Sequence, residues 1–244
     1  MSEDADEDLA VKAHGVARRL GDRVFQCDAT AVCTMPGGTR AYALPDGVGD
    51  TPAVRAWTRT AARRLARAAA GHGDAEAGLR TECERYAANP ARHDLPAVVA
   101  VVAVHVPGGL FTVAWSGDAR AYLLLDGLGP LRQITKDHNA RRACDGLGDR
   151  NLITACLGGI RDDEETEQHW GRPTIEYMIG PARPGHGNRT RGAHRVCAYR
   201  STYPGATCGP RARFRSRVTG SHPVSVRSVM KASSGCGVFM APAQ

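Results

Sequence analysis

The sequence predicts a layered α+β fold built on a large antiparallel sheet. Three observations carry this. Segments 51–70 and 74–88 have helical spacing and helix-start signals. A β-branched run over 96–106 opens a series of short strands joined by glycine turns. Two further strands, within 24–44, precede the helices. Strand, strand, helix, helix and then a run of strands is the order of elements segregated onto a sheet, not alternating with it.

Taken in order, residues 1–14 begin with MSEDADEDLA, acidic and without an apolar period, and are expected to form a disordered tip. VFQCDATAVCTM (24–35) and TRAYAL (39–44) flank PGG, a hairpin signal. The glycine-rich turn PDGVGD leads into the first helix, where Thr51 is a good N-cap with Pro52 just inside. Val54, Trp57, Ala61, Leu65 and Ala68 or Ala69 follow one helical face, and Gly71 is the expected stop. The five arginines between Arg55 and Arg67 lie mostly on other faces and read as a solvated surface. The second helix stops at Asn89-Pro90.

PAVVAVVAVHV (96–106) reads as a buried strand. Segments 110–116, 119–125 and 131–135 continue as an antiparallel meander, and NLITACLG (151–158) reads as a short helix ending at Gly158. Residues 15–184 are thus expected to be one domain. Beyond about Gly185 no period is sustained, and the composition is rich in Arg, Gly, Ser, Thr and Pro, a poor recipe for a core.

Charge divides the chain at the same place. Residues 1–184 hold 22 Lys+Arg and all 25 Asp+Glu, whereas residues 185–244 hold 10 Lys+Arg and no acid, the last being Glu176. The formal net charge of +7 averages a slightly acidic body and a basic tail. None of the eight cysteines is spaced C-x-x-C, and no Cys/His cluster has zinc-ligand spacing. The start has no secretory pattern, and the longest apolar stretch, 97–106, is far too short to span a membrane. A cytoplasmic protein with free thiols is the expectation.

Three acids sit in turns beside glycine or another small residue: Asp28 in CDA, Asp46 in PDGVGD and Asp118 in SGDAR. Carboxylates at strand ends, with a carbonyl freed by a glycine turn, suit hard cations such as magnesium or manganese. Two such ions can share a water and turn it into a nucleophile for phosphorus. Taken singly, each acid reads more readily as a turn-former than as a ligand, since Asp-Gly is the commonest turn dipeptide.

Residues 21–158 resemble the metal-dependent protein phosphatase (PPM, type 2C) family in its compact bacterial form. GDRVFQCDA matches the first family motif at Gly21, Arg23 and Asp28, with Gln26 and Cys27 replacing the usual Asn and Glu. DGVGD (46–50) matches Asp-Gly-x-Gly. GDAR (117–120) matches Gly-Asp-Ser-Arg with Ala119 for the serine, and AYLLLDG, ITKDH and NLITACLGG continue as the family does. The resemblance implies a four-layer α-β-β-α sandwich, incomplete at the C-terminus. It implies two Mg²⁺ or Mn²⁺ ions, with Asp28 near the metal water shell, Asp46 bridging the ions, Gly47 offering its carbonyl and Asp118 approaching an accessory metal. Arg23 would hold the phosphate, and Asp137 of TKDH would anchor a turn. The implied reaction is hydrolysis of a phosphoserine or phosphothreonine protein by a metal-bridged hydroxide, in a monomer acting in signalling.

The chain departs from the family after GPARPG. His186 stands where the next motif needs an acid, and no Asp or Glu follows Glu176. The expectation is a chain with little or no turnover. The competing readings are a non-catalytic phosphatase-like binding module and, ranked lower, nucleic-acid binding through the basic tail. The tail's composition matches a GC-rich gene read out of frame, and residues from about 186 onward are expected not to pack on the body. Cys144 and Cys156 read as ordinary thiols, His138 as a structural hydrogen-bonder, and the acidic run at 161–167 as a variable, solvated loop.

Overall fold

The computed structural model describes residues 13–17, 24–125, 132–159, 163–181, 194–200 and 237–241. The strands are β1 (Ala13–Ala17), β2 (Ala31–Thr34), β3 (Arg40–Gly47), β4 (Val98–His105), β5 (Leu110–Ser116), β6 (Ala119–Leu125), β7 (Arg132–Gln133), β8 (Glu176–Pro181), β9 (His194–Arg200) and β10 (Gly237–Ala241). The helices are α1 (Pro52–His72), α2 (Ala75–Ala87), α3 (Ala140–Ala143) and α4 (Asp163–Trp170). Two antiparallel sheets result, one in the order β2-β3-β4-β5-β8 and the other β1-β10-β9-β6-β7.

The helical pair forms where its caps predict. The Thr51 side chain accepts from the Val54 N–H at 3.2 Å, and the Asp74 side chain accepts from the Ala77 N–H at 2.8 Å. The first helix runs slightly past the expected Gly71 and ends at Gly73, whose left-handed φ of 64° is a glycine C-cap. Val54, Leu65, Ala69 and, from α2, Leu79 and Tyr86 are buried. The Trp57 indole N–H donates to the Tyr86 hydroxyl and pins the two helices together.

The central strand β4 explains its own sequence. Val98, Ala100, Val102 and Val104 face the α1/α2 layer, while Val99, Val101 and Ala103 face the second sheet. A strand buried on both faces needs a continuous apolar run in place of an alternating one. Phe111, Val113 and Trp115 of β5 and Tyr42 and Leu44 of β3 complete the inter-sheet core against Ala119 and Ala121 of β6. Among the described residues α1 and α2 form one outer layer, and no comparable helix pair covers the other sheet.

Four expectations are corrected. The meander does not stay in one sheet: β4 and β5 belong to the first, β6 and β7 to the second, and the chain crosses between them at Gly117-Asp118. Alternation within each strand shows burial but not which sheet buries it. Residues 151–158 are not a helix. They form turns and bends around two isolated bridges, Ile153 with Asn139 and Leu157 with Val98, because the start of β4 offers backbone groups that this segment satisfies. Residues 163–170 are a helix instead of a loop, tied to α2 by Arg80–Asp163 at 2.6 Å, though Glu164, Glu165 and Glu167 are exposed as expected. Finally, two parts of the region beyond 186 do join the body: β9 pairs along the whole of β6, and β10 pairs with β9 and β1. The β6 edge requires hydrogen-bond partners, and HRVCAYR, with Val and Tyr and no Pro or Gly, can supply them. The rest of the tail and of the acidic tip lies outside the described residues.

Candidate functional site

The acids singled out in the sequence gather at one end of the sandwich. Asp46 is the last acid of β3 and pairs with Val99 of β4, so its side chain shares the inter-sheet face of Tyr42 and Leu44. It is completely buried. Asp28 lies directly opposite Asp46 in an isolated antiparallel bridge. The flanking bonds, Ala29 N–H to Pro45 O at 3.0 Å and Gly47 N–H to Cys27 O at 3.1 Å, make this the non-hydrogen-bonded kind of pair. In such a pair the two Cα atoms stand about 4.5 Å apart and the side chains project to one face. Two carboxylates are therefore set against each other, one of them out of water. Like charges in that position repel, and a cation between them relieves the repulsion.

The loops that carry these acids are tied together. The Asp50 carboxylate accepts from the N–H groups of Val24 at 3.1 Å and Phe25 at 2.8 Å, joining the segment before Asp28 to the end of the DGVGD turn. The Gln26 amide donates to Asp28 Oδ2 at 2.9 Å and orients that carboxylate. Cys27, the other departure from the family motif, is buried, with its thiol 3.8 Å from the Thr51 carbonyl at the start of α1. Gly47 must be glycine here. A Cβ would lie 2.3 Å from Val54 Cγ1 and 2.4 Å from Thr58 Oγ1, so the strand end and the first turns of α1 are in direct contact.

Asp118 reaches the same end by another route. Gly117, at φ 99°, lies against Val99, and a Cβ would fall 2.2 Å from Val99 Cγ1. Val99 is the cross-strand neighbour of Asp46, so the crossover carrying Asp118 sits over the strand pair carrying Asp46. Among the described residues, however, no group of three Asp, Glu, His or Cys side chains is close enough to hold one ion. The residues present fit one hard cation, through Asp28, Asp46 and the Gly47 carbonyl with water completing the shell. Among the described residues they fall short of a two-ion set. Arg23, assigned to phosphate in the sequence, lies outside the described residues. It directly precedes Val24, whose N–H is fixed by Asp50.

A second polar cluster holds the crossover from behind. The Gly117 N–H donates to His138 Nδ1 at 3.2 Å, and the His138 N–H donates to the Gly117 carbonyl at 2.9 Å. Accepting at Nδ1 leaves the ring proton on Nε2, which faces Glu176 Oε2 at 3.3 Å. Arg142 grips Glu176 with both terminal nitrogens, at 2.9 and 2.7 Å. Burial pushes the Glu176 carboxyl upward, but the bonds with His138 and Arg142 outweigh it and hold the group down at about 2. Arg120 binds Asp137 in the same two-pronged way, at 2.8 and 2.5 Å. Asp137 thus anchors the turn, the role the family resemblance implies, and His138 is the structural hydrogen-bonder expected of it. The sequence marks Gln26 only as a departure from the family motif and Glu176 only as the last acid, and gives Asp50 and Arg142 no individual role. Asp50 carried a signal, being a second acid closing the Asp-Gly turn. Glu176 and Arg142, 34 residues apart, carried none.

No helix among the described residues is long and apolar enough to cross a membrane. No family model matches the chain, and no curated protein sequence does. Solved structures do match. The serine/threonine phosphatase of S. agalactiae is 13% identical over 77% of this chain and 79% of that one, with a TM-score of 0.55. Serine/threonine phosphatase Stp1 from Staphylococcus aureus is 14% identical over 95% and 94%, with a TM-score of 0.56. A C. elegans sex determining protein is 16% identical over 77% of this chain and 50% of that one, with a TM-score of 0.52. At such identities the likeness speaks for architecture: this chain has the mixed α/β sandwich fold of the bacterial serine/threonine phosphatases.

Proposed function

We propose that the chain is a divalent-cation-dependent phosphatase of phosphoserine and phosphothreonine proteins, working with a reduced metal set and correspondingly slow turnover. The observation that carries this is the opposed pair Asp28 and Asp46 at the end of the inter-sheet cleft. A buried carboxylate set against a second one costs stability, and a protein keeps such an arrangement where it binds a cation. In this reading Asp28, Asp46 and the Gly47 carbonyl hold Mg²⁺ or Mn²⁺. Asp118 borders an accessory position, and Arg23 grips the phosphate through its planar fork. When bound, the ion neutralises phosphate charge and makes an attacking water more acidic. Gln26 keeps Asp28 turned toward the site, Asp50 fixes the segment that follows Arg23, and the contact of Gly47 with α1 prevents the strand end from moving away.

A non-catalytic phospho-recognition module is the second reading. It is favoured by the absence of any acid after Glu176, which leaves the last quarter of the chain without a carboxylate to offer a metal. One assay separates the two: hydrolysis of p-nitrophenyl phosphate with added Mn²⁺ by the full chain and by Asp46→Ala. Catalysis at this site predicts a Mn²⁺-dependent rate that falls at least about tenfold in the variant, the smallest loss expected when a ligand rather than its support is removed. Equal rates in the two proteins exclude catalysis here.

A further inference from the structure

Along α1 one residue type repeats at one spacing, half-buried at Arg55 and exposed from Arg59 onward. Arg55, Arg59, Arg63 and Arg67 stand four residues apart, and α1 contains no acidic residue at all. Arg59, Arg63 and Arg67 are exposed, and none of their side chains makes a hydrogen bond or ion pair with another described residue. Arg64, by contrast, turns to the α2 side, over the Trp57 ring at 5.6 Å. Like charges at four-residue spacing repel on a helix, and a purely solvated face would normally interleave acids. The stripe also has a definite origin. Its first member, Arg55, follows Val54, which together with Thr58 presses on Gly47 at the candidate cation site.

We infer that this stripe is a docking surface for an acidic stretch flanking the phosphorylated residue of a protein substrate. The inference rests on the phosphatase reading for the position of the phosphate, and on charge complementarity for the rest. Arg55 to Arg67 spans about 18 Å of helix. An extended peptide covers that in about five residues, at roughly 3.3 Å each. The substrate class is therefore a phosphoserine or phosphothreonine peptide with about five residues rich in Asp and Glu on one side. Its phosphate sits at the end of the sandwich, and its acidic side lies along α1. Exposed arginines of this kind act mainly by steering and register, so the effect is salt-sensitive.

The test uses the full chain with Mn²⁺ and fluorescein-labelled phosphothreonine peptides, read by fluorescence anisotropy at low salt. One peptide carries five Glu on one side, and its partner carries Gln in their place. The acidic peptide should bind at least about tenfold more tightly, and this advantage should shrink to about twofold in the triple variant Arg59→Ala/Arg63→Ala/Arg67→Ala. These exposed helix positions accept alanine without loss of fold, which circular dichroism verifies. An acid preference that survives the triple variant assigns it to the basic tail and overturns the proposal, as does no preference in the parent chain. A preference that emerges only after the acids of residues 1–10 are neutralised also overturns it, because the stripe is then occupied by the chain's own tip. An unphosphorylated acidic peptide is the control: if it binds as tightly and still depends on the stripe, the docking surface stands and the phosphatase reading falls.

Discussion

Two acid-bearing regions meet at the Gly117-Asp118 crossover, and they are built on opposite electrostatic plans. Behind the crossover each carboxylate faces a guanidinium: Glu176 is gripped by Arg142 and Asp137 by Arg120. In front of it two carboxylates, Asp28 and Asp46, face each other across adjacent backbones. The first plan lowers the energy of the folded chain through charge-assisted bonds. The second sets two like charges side by side, a repulsion that the proposed cation would relieve. On the proposed reading the same residue type is structural in one place and functional in the other, and the partner decides which.

The largest expected effect comes from breaking the joint between them. Gly117 combines a φ of 99° with a position where a Cβ would meet Val99 Cγ1 at 2.2 Å and Val99 Cβ at 2.4 Å. Gly117→Ala should cost about 3–4 kcal/mol, from left-handed backbone strain plus overpacking against β4. Denaturant unfolding measures it. A cost under about 1 kcal/mol would mean that the crossover is soft and that the rear cluster does not position Asp118.

Next in size is the rear cluster. Arg142→Ala removes both bonds to Glu176 and should cost about 2 kcal/mol near neutral pH, the usual worth of bonds to a charged group. The pH dependence gives the sign. Glu176 titrates at about 2 in the folded protein against an ordinary 4.5. Its stabilising contribution is therefore fully present above about 4.5 and is lost as pH falls toward 2. The stability gap between the parent chain and Arg142→Ala should narrow over that window. A gap that stays constant down to pH 2 would assign the arginine a packing role instead of a charge role.

The sequence revealed these two regions unequally, for physical reasons. Local signals carried the front. Thr51-Pro52 and Asp74 mark helix starts by bonds that span three residues, and the Asp-Gly turn displays Asp46 and Gly47 together. The rear cluster depends on contacts 17 to 34 residues apart, which periodicity does not encode. The same limit explains the misplaced meander. Segments 110–116 and 119–125 have equally good strand patterns, and nothing local says that Gly117 carries the chain from one sheet to the other. NLITACLG reads as a helix in isolation because helix and strand share its short apolar content, and the deciding influence is the backbone of Val98, which exchanges hydrogen bonds with Leu157. The C-terminal strands carry no local signal because β9 is recruited by the open edge of β6, a demand invisible within residues 194–200.

The smallest effect is also the sharpest, because its sign differs between the two regions. If Asp28 and Asp46 oppose each other to await a cation, Asp46→Asn should stabilise the metal-free protein, by about 0.5–1 kcal/mol, the scale of a like-charge pair across two strands. The amide keeps the shape of the carboxylate and removes its charge, so packing against the inter-sheet core is unchanged. In EDTA the variant should therefore unfold at a slightly higher denaturant concentration than the parent chain. Addition of Mn²⁺ should reverse the order: the parent gains stability by mass action, about 2.7 kcal/mol at a hundredfold excess over its dissociation constant, while the variant gains little. A structural acid behaves otherwise. Glu176→Gln, in the rear cluster, should lose stability in EDTA and respond to Mn²⁺ as the parent does, since its role is to hold Arg142 and His138. Should Asp46→Asn lose stability in EDTA as Glu176→Gln does, Asp46 belongs with the structural acids, and the distinction between the two regions fails.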